Sequence, residues 1–335
     1  MPQERPILVL GAGSWGTALA MVLARNGHKT YLWDCVREHI EHLQNDRCNN
    51  KHLPGNPFPE GLLPISEYLP LPEDVRDIVI AVPCEALREV LQALNQAAIP
   101  ELSLCLACKG LEPETLSLNT SVVEEYCPDT PVAVLSGPSF AKEVAAGLPT
   151  AVTIAAVEIN TATYWAQRFH SDIFRTYTHD DVAGVQVGGA IKNVMAIAAG
   201  IADGMGFGAN TRAALITRGL AEITRLGIAM GGRLETFTGL AGVGDLVLTC
   251  TDDQSRNRRF GLALAKGMTP EQAKAEIGQA IEGLRTAEVV KRLAETYQID
   301  MPISEHVLKV INGEMSAREA VQELLAREQG REITN

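Results

Sequence analysis

The chain has 335 residues, with 29 Lys and Arg against 41 Asp and Glu, for a formal net charge of -12 at pH 7. That excess of acid argues against a nucleic-acid or acidic-membrane surface, and it means that any anionic ligand must be held by a local cationic site. The length exceeds one typical core and predicts two domains, while 46% hydrophobic and 21% charged residues describe an ordinary soluble globular protein. No apolar run approaches the length of a bilayer span, so no transmembrane segment is expected, and the polar start MPQERP leads into the first strand with no secretory signal. The seven scattered cysteines lie mostly in apolar surroundings, which fits reduced, buried thiols in a cytosolic protein. Cys105 and Cys108 form C-x-x-C, but LSLCLACKG reads as a strand, no second pair sits at zinc spacing and no histidine set suggests ligands, so no metal is expected.

The first element is the most informative. Ile7 to Leu10 reads as a buried parallel strand, Gly11, Gly13 and Gly16 give G-x-G-x-x-G, and Ala18 to Ala24 continues as an apolar helix stopped at Asn26-Gly27. Strand, glycine turn and helix in that order suit a dinucleotide. The first glycine makes the turn, the second admits the pyrophosphate, the third lets the helix pack, and the helix N-terminus faces the phosphates. The alternative, a purely structural glycine turn, fits the flanking elements less well.

A second strand spans Lys29 to Trp33, and a helix follows from Val36 to Gln44. NNKHLPGNPFPEGLLP reads as a loop. Strands are predicted at Asp77–Val82, Leu102–Ala107, Val132–Leu135, Ala151–Ala155 and Phe174–Thr178, with a helix at Glu85–Leu94. Short apolar strands alternating with helices predict a doubly wound parallel α/β sheet. Ligands of such sheets lie beyond the carboxyl ends of the strands, where Lys109 and the turn from Gly137 to Phe140 fall.

After Asp180 helical periodicity replaces the strands, which sets the predicted domains at 1–180 and 181–335. The small residues Gly184, Gly188, Gly189 and Ala190 predict close packing of the first helix. Arg212 to Met230 is a second long helix. Thr269-Pro270-Glu271-Gln272 and Ser316-Ala317-Arg318-Glu319 read as capping boxes, and the polar tail from Arg327 as frayed.

Lys192 stands in the apolar run GVQVGGAIKNVMAIAAGIADG. It is either a lysine whose stem snorkels to the surface or an amine lining a cleft with a burial-lowered pKa suited to proton transfer. Ser255, Arg256 and Asn257 lie in TDDQSRNRRFG, which is either a solvated basic turn or a phosphate site with a planar fork, a hydroxyl and an amide as donors. Asp245, after a glycine-rich turn, could be a plain N-cap, Lys109 could merely end a strand, and Ser139 could merely start a helix.

GAGSWGTALA, ACKGLE, SGPSFAKEVAAGLPT, GGAIKNVMAIAAGIADG, GFGANTRAALITRGLAE, GLAGVGDLVLTCT, QSRNRRFG and IEGLRT together resemble the bacterial-type NAD(P)-dependent glycerol-3-phosphate dehydrogenases, in order from Ile7 to Arg327. The resemblance implies a Rossmann domain followed by an all-α domain like that of 6-phosphogluconate dehydrogenase, in a homodimer. It implies interconversion of dihydroxyacetone phosphate and sn-glycerol 3-phosphate, a small phosphorylated substrate, for glycerophospholipid synthesis. Ser14, Trp15, Lys109, Ala141, Arg256 and Glu282 are then expected at the cofactor. Lys109, Gly137, Ser139, Asp245, Ser255, Arg256 and Asn257 are expected at the substrate, with Lys192 as the catalytic lysine. Competing readings are a non-catalytic dinucleotide sensor and a dehydrogenase of another small hydroxy acid.

Cofactor choice rests on Asp34, 18 positions after Gly16, where a carboxylate accepts from a free ribose 2′-hydroxyl and repels a 2′-phosphate. It could equally cap the next helix. Relatives often carry a cation where this chain has Cys35, and Arg37 and Arg25 are the nearest replacements. The expectation is use of both cofactors, with NAD favoured over NADP.

Overall fold

The computed structural model describes residues 5–326, so the expectations for the first four residues and for the tail from Arg327 lie outside the described residues. The chain forms an eight-stranded sheet with its helices, followed by a helical region. By contacts it divides into two units, residues 1–190 with 230–245, and residues 191–229 with 246–335. This division differs from a single boundary at 180/181. The segment 230–245 returns to the sheet unit, and the first long helix contributes residues to both.

In the sheet unit, β1 (Ile7–Leu10), α1 (Ser14–Arg25), β2 (Thr30–Trp33), α2 (Arg37–Asp46), β3 (Leu62–Ile65), β4 (Asp77–Ile80), α3 (Leu87–Gln96) and β5 (Ser103–Leu106) follow in order. Then come α4 (Asn119–Tyr126), β6 (Val132–Ser136), α5 (Ala141–Ala145), β7 (Thr150–Ala155), α6 (Ile159–Phe169) and β8 (Phe174–His179). The sheet order is β3-β2-β1-β4-β5-β6-β7-β8. The chain winds one way from β1 to β3 and the other way from β4, which makes the β1/β4 junction the switch point at which such sheets bind ligands. Ile7, Leu8, Val9 and Leu10 are wholly buried, as both faces of a central parallel strand require. At the opposite, amino ends of the strands, the buried Asp77 accepts from Tyr164 Oη at 2.9 Å and Arg168 Nε at 2.7 Å, fastening α6 to β4.

Two expectations about the sheet need correction. LLP was read as loop, yet Leu62 to Ile65 forms β3, in parallel register with β2 and with Pro64 opposite Leu32. Proline removes a donor, so it is tolerated on an edge strand and hides the strand from a pattern search. The sheet is also not wholly parallel, because β6 and β7 run antiparallel, with Ser136 opposite Thr153. The connection, residues 137–149, holds only the five-residue helix α5 and not the longer helix that usually carries the chain back for a parallel pairing.

The helical region comprises α7 (Val182–Gly204), α8 (Ala209–Ala229), α9 (Leu234–Phe237), α10 (Asp245–Thr251) and α11 (Arg256–Ala265). It continues with α12 (Pro270–Ile277), α13 (Glu282–Tyr297), α14 (Pro302–Ile311) and α15 (Ala317–Leu325). Both capping boxes form, at Thr269/Gln272 and Ser316/Glu319. The small residues of α7 do permit close approach. A Cβ on Gly188 would lie 2.6 Å from the Ala241 carbonyl oxygen, and one on Gly200 would lie 2.1 Å from that of Arg258. The expectation that no run could span a bilayer fails for α7, whose 23 residues are long and apolar enough, but its most apolar stretch is wholly buried, as in a core helix.

Candidate functional site

The glycine loop follows β1. Gly11 has φ +107°, and a Cβ there would lie 2.8 Å from the backbone of Ala81, just past β4. A Cβ on Gly16 would lie 1.9 Å from the Gly11 carbonyl oxygen. Both glycines are demanded by the protein's own packing. A Cβ on Gly13 would meet nothing within 4 Å, so the fold gives no reason for glycine there. Thr17 N donates to Gly13 O, which opens α1 and leaves its first-turn N–H groups for an anion. The indole Nε1 of Trp15 is buried with no hydrogen-bond partner among the described residues. An open cradle and an orphaned donor in one loop fit a bound dinucleotide. Gly11, Gly13, Ser14, Trp15 and Gly16 are the residues that would hold it.

Asp34 does more than either sequence reading. Its Oδ2 accepts from Ala12 N and its Oδ1 from Val36 N, both at 3.0 Å, so it braces the glycine loop and the start of α2 together. Each oxygen keeps lone pairs for ribose hydroxyls. Cys35 and Arg37 are exposed, and Arg37 lies 3.5 Å from Glu41. Arg25 is tied to the carbonyls of Val144 and Ala145, and this removes it as a substitute cation.

Beyond β5 and β6 lies a polar cluster built around Lys109, within the same unit. Lys109 Nζ donates to Gly137 O at 3.0 Å, Asp245 Oδ2 at 3.2 Å and Ser139 Oγ at 3.4 Å, and sits 5.5 Å above the Trp15 ring. Asp245 is 1% exposed and opens α10, so its carboxylate serves a lysine and not only a helix end. Gly137 adopts φ +138°, turning its carbonyl toward the lysine past the end of β6. Ala141 opens α5 and is half-buried.

The helical unit holds a second group. Lys192 is 6% exposed on α7. Its neighbour Asn193 donates to Glu282 Oε2 at 3.1 Å and accepts from Asn257 Nδ2 at 2.9 Å, while Asn257 Oδ1 takes Gly283 N at 2.8 Å. The expected contact residues Asn257 and Glu282 therefore also lock α7, α11 and α13 together. Asn193 was missed by sequence reasoning, although it adjoins Lys192. Ser255 caps α11, accepting from Arg258 N at 3.2 Å, and Arg258 is spent on Asp203 and Asp253. Arg256 is half-buried and its guanidinium makes no hydrogen bond or ion pair among the described residues.

Two family models match the chain: NAD-dependent glycerol-3-phosphate dehydrogenase N-terminus over residues 6–162 and its C-terminus over 181–322. A glycerol-3-phosphate dehydrogenase (NAD(P)+) of Thioalkalivibrio sulfidiphilus is 53% identical, covering 97% of this chain and 98% of its own. The crystal structure of glycerol-3-phosphate dehydrogenase from Coxiella burnetii matches with a TM-score of 0.94 and 47% identity, over 97% of this chain and 100% of that one. A Saccharomyces cerevisiae enzyme of the same name matches at 27% identity and a TM-score of 0.81, over 95% and 98%. With a nucleotide loop that leaves room at Gly13 and near-complete alignment at about half identity, the chain belongs to the NAD(P)-dependent glycerol-3-phosphate dehydrogenase family.

Proposed function

We propose that this protein is an oxidoreductase interconverting dihydroxyacetone phosphate and sn-glycerol 3-phosphate with NADH or NADPH, as a cytoplasmic homodimer whose product supplies glycerophospholipid backbones. In this reading residues 1–180 bind most of the cofactor and supply Lys109, Gly137 and Ser139 to the substrate, while residues 181–335 carry the catalytic lysine and the remaining substrate contacts. The observation that carries it is the Lys109 ammonium held by Asp245, Gly137 and Ser139 over the nucleotide-loop tryptophan. A fixed cation beside a nucleotide loop suits a polar, anionic substrate better than sensing alone.

When bound, the reduced nicotinamide supplies a hydride to the ketone carbon. The carbonyl oxygen then gains charge, and Lys192 in its ammonium form donates the proton that completes the alcohol. In reverse the amine accepts it. Lys109 orients the substrate. All three of its N–H bonds already have acceptors, and the 3.4 Å contact to Ser139 is the longest and easiest to exchange for a substrate oxygen. Arg256, with the Ser255 hydroxyl beside it, binds the phosphate, whose binding energy positions the distant reacting carbon. Asp34 would accept from the adenosine ribose of a bound cofactor, which would favour NADH over NADPH. The test is initial rates with dihydroxyacetone phosphate against dihydroxyacetone, with each reduced cofactor. Rapid turnover of the phosphorylated ketone alone is expected, and equal turnover of both ketones rejects the substrate assignment.

A further inference from the structure

The stretch between α2 and β3 carries a wholly buried asparagine that no cofactor reading uses. Asn49 donates from Nδ2 to the Ala12 carbonyl oxygen at 2.9 Å and to Thr17 Oγ1 at 2.8 Å. Its Oδ1 accepts from His52 N at 3.1 Å and its own carbonyl from Leu53 N at 2.8 Å, so the amide orientation is set from both ends. His39 Nε2 lies 3.3 Å from the same Ala12 oxygen, and Ser14 Oγ donates to His52 O at 2.7 Å. Every polar atom of Asn49's side chain is therefore turned onto the loop or onto the segment that holds it.

The consequence follows from peptide geometry. A trans peptide points its C=O and N–H in opposite directions. The carbonyl of Ala12 belongs to the Ala12–Gly13 peptide, whose N–H is that of Gly13. Holding the carbonyl against Asn49 and His39 aims the Gly13 N–H the other way. Ala12 N is meanwhile held by Asp34 and Gly11 N by Trp33 O at 2.8 Å, so the peptides on the loop's near side are already committed. The Gly13 peptide is the one whose direction buried side chains decide, with Asn49 at 2.9 Å making the shorter contact to its carbonyl and His39 at 3.3 Å the longer. We propose that Asn49 is a positioning residue for the cofactor pyrophosphate: it fixes the Ala12–Gly13 peptide so that the Gly13 N–H serves as an anion donor. This rests on the cofactor reading above and extends it to a residue that touches no cofactor.

The test compares binding of NADH, ADP-ribose and adenosine to the full chain by titration calorimetry, with thermal melting alongside. Asn49→Asp keeps the shape but sets an acceptor against the Ala12 oxygen, and Asn49→Ala removes the donor without adding charge. Either should weaken NADH and ADP-ribose roughly tenfold or more, the scale of one lost hydrogen bond, while adenosine, which has no phosphate, is unaffected. Thr17→Val removes the other acceptor of Asn49 and should leave ADP-ribose affinity at wild-type level. Unchanged ADP-ribose binding in both Asn49 variants overturns the proposal. So does an equal loss for adenosine, or a loss in Thr17→Val as large as in Asn49→Asp, since either makes Asn49 a general brace. A wild type that binds neither NADH nor ADP-ribose overturns the cofactor reading itself.

Discussion

Gly11, Gly13 and Gly16 belong to one motif but have different physical reasons, and mutation separates them. Gly16→Ala forces a methyl into the Gly11 carbonyl and should lower stability by a few kcal/mol, the range of overpacked sites. Gly13→Ala meets open space and should melt within a degree or two of wild type while raising the KM for NADH severalfold. A Gly13→Ala melt as low as that of Gly16→Ala rejects the distinction. Lys192→Ala should lower kcat by roughly 10²–10⁴-fold with cofactor affinity little changed, and near-normal turnover removes Lys192 from the mechanism. For Asp34, the structure adds a cost. Asp34→Gly/Cys35→Arg should shift the kcat/KM ratio toward NADPH, but losing the bond to Ala12 N should also weaken NADH. An unchanged ratio leaves Asp34 as a brace alone.

Among the elements, α14 shows how tertiary contact replaces a missing local cap. Its N-cap, Met301, offers no side-chain acceptor. Glu222 of α8 supplies one, accepting from Ile303 N at 2.6 Å, Ser304 N at 3.2 Å and Ser304 Oγ at 3.0 Å. Burial outweighs these donors and the nearby Arg225, and pushes the Glu222 carboxyl up to about 7. The folded state then binds its proton more tightly than the unfolded chain does. This contribution to stability is fully present below the ordinary carboxyl range, falls as pH rises from about 4.5 through about 7, and levels off above; its full span is on the order of 3 kcal/mol. Glu222→Gln should flatten the decline of melting temperature between pH 5 and 8. A decline as steep as wild type's assigns the pH dependence to other groups.

For the whole molecule, the net charge of -12 sets the background against which any anion binds. The field opposes a phosphate at long range, so attraction must come from nearby cations, and Arg256 is half-buried and uncommitted among the described residues. Arg256→Ala should raise the KM for dihydroxyacetone phosphate by at least tenfold and make the residual kcat/KM less sensitive to salt. Measuring kcat/KM from about 20 to 300 mM salt, over which the Debye length falls from about 20 to about 6 Å, checks this. A wild-type kcat/KM in the variant means that the phosphate is held elsewhere.

Legible in the sequence were the nucleotide loop, every strand up to β8 except β3, the helical character beyond it and both capping boxes. In each case the deciding interactions are local: glycine spacing, apolar periodicity, or a side chain reaching its own backbone three residues on. Lys109, Asp245 and Lys192 were legible as polar residues at strand ends or in apolar runs. Tertiary structure alone decided which groups meet. The Lys109–Asp245 pair spans 136 positions, and Asn49 reaches Ala12 across 37. The same holds for β3 behind its proline, for the reversed β7, and for the return of residues 230–245 to the sheet unit. Strand direction and pairing depend on where the chain returns in space, which a run of four apolar residues cannot encode. The role of Asn49 depends on a peptide's orientation, which becomes visible only once the loop is folded against it.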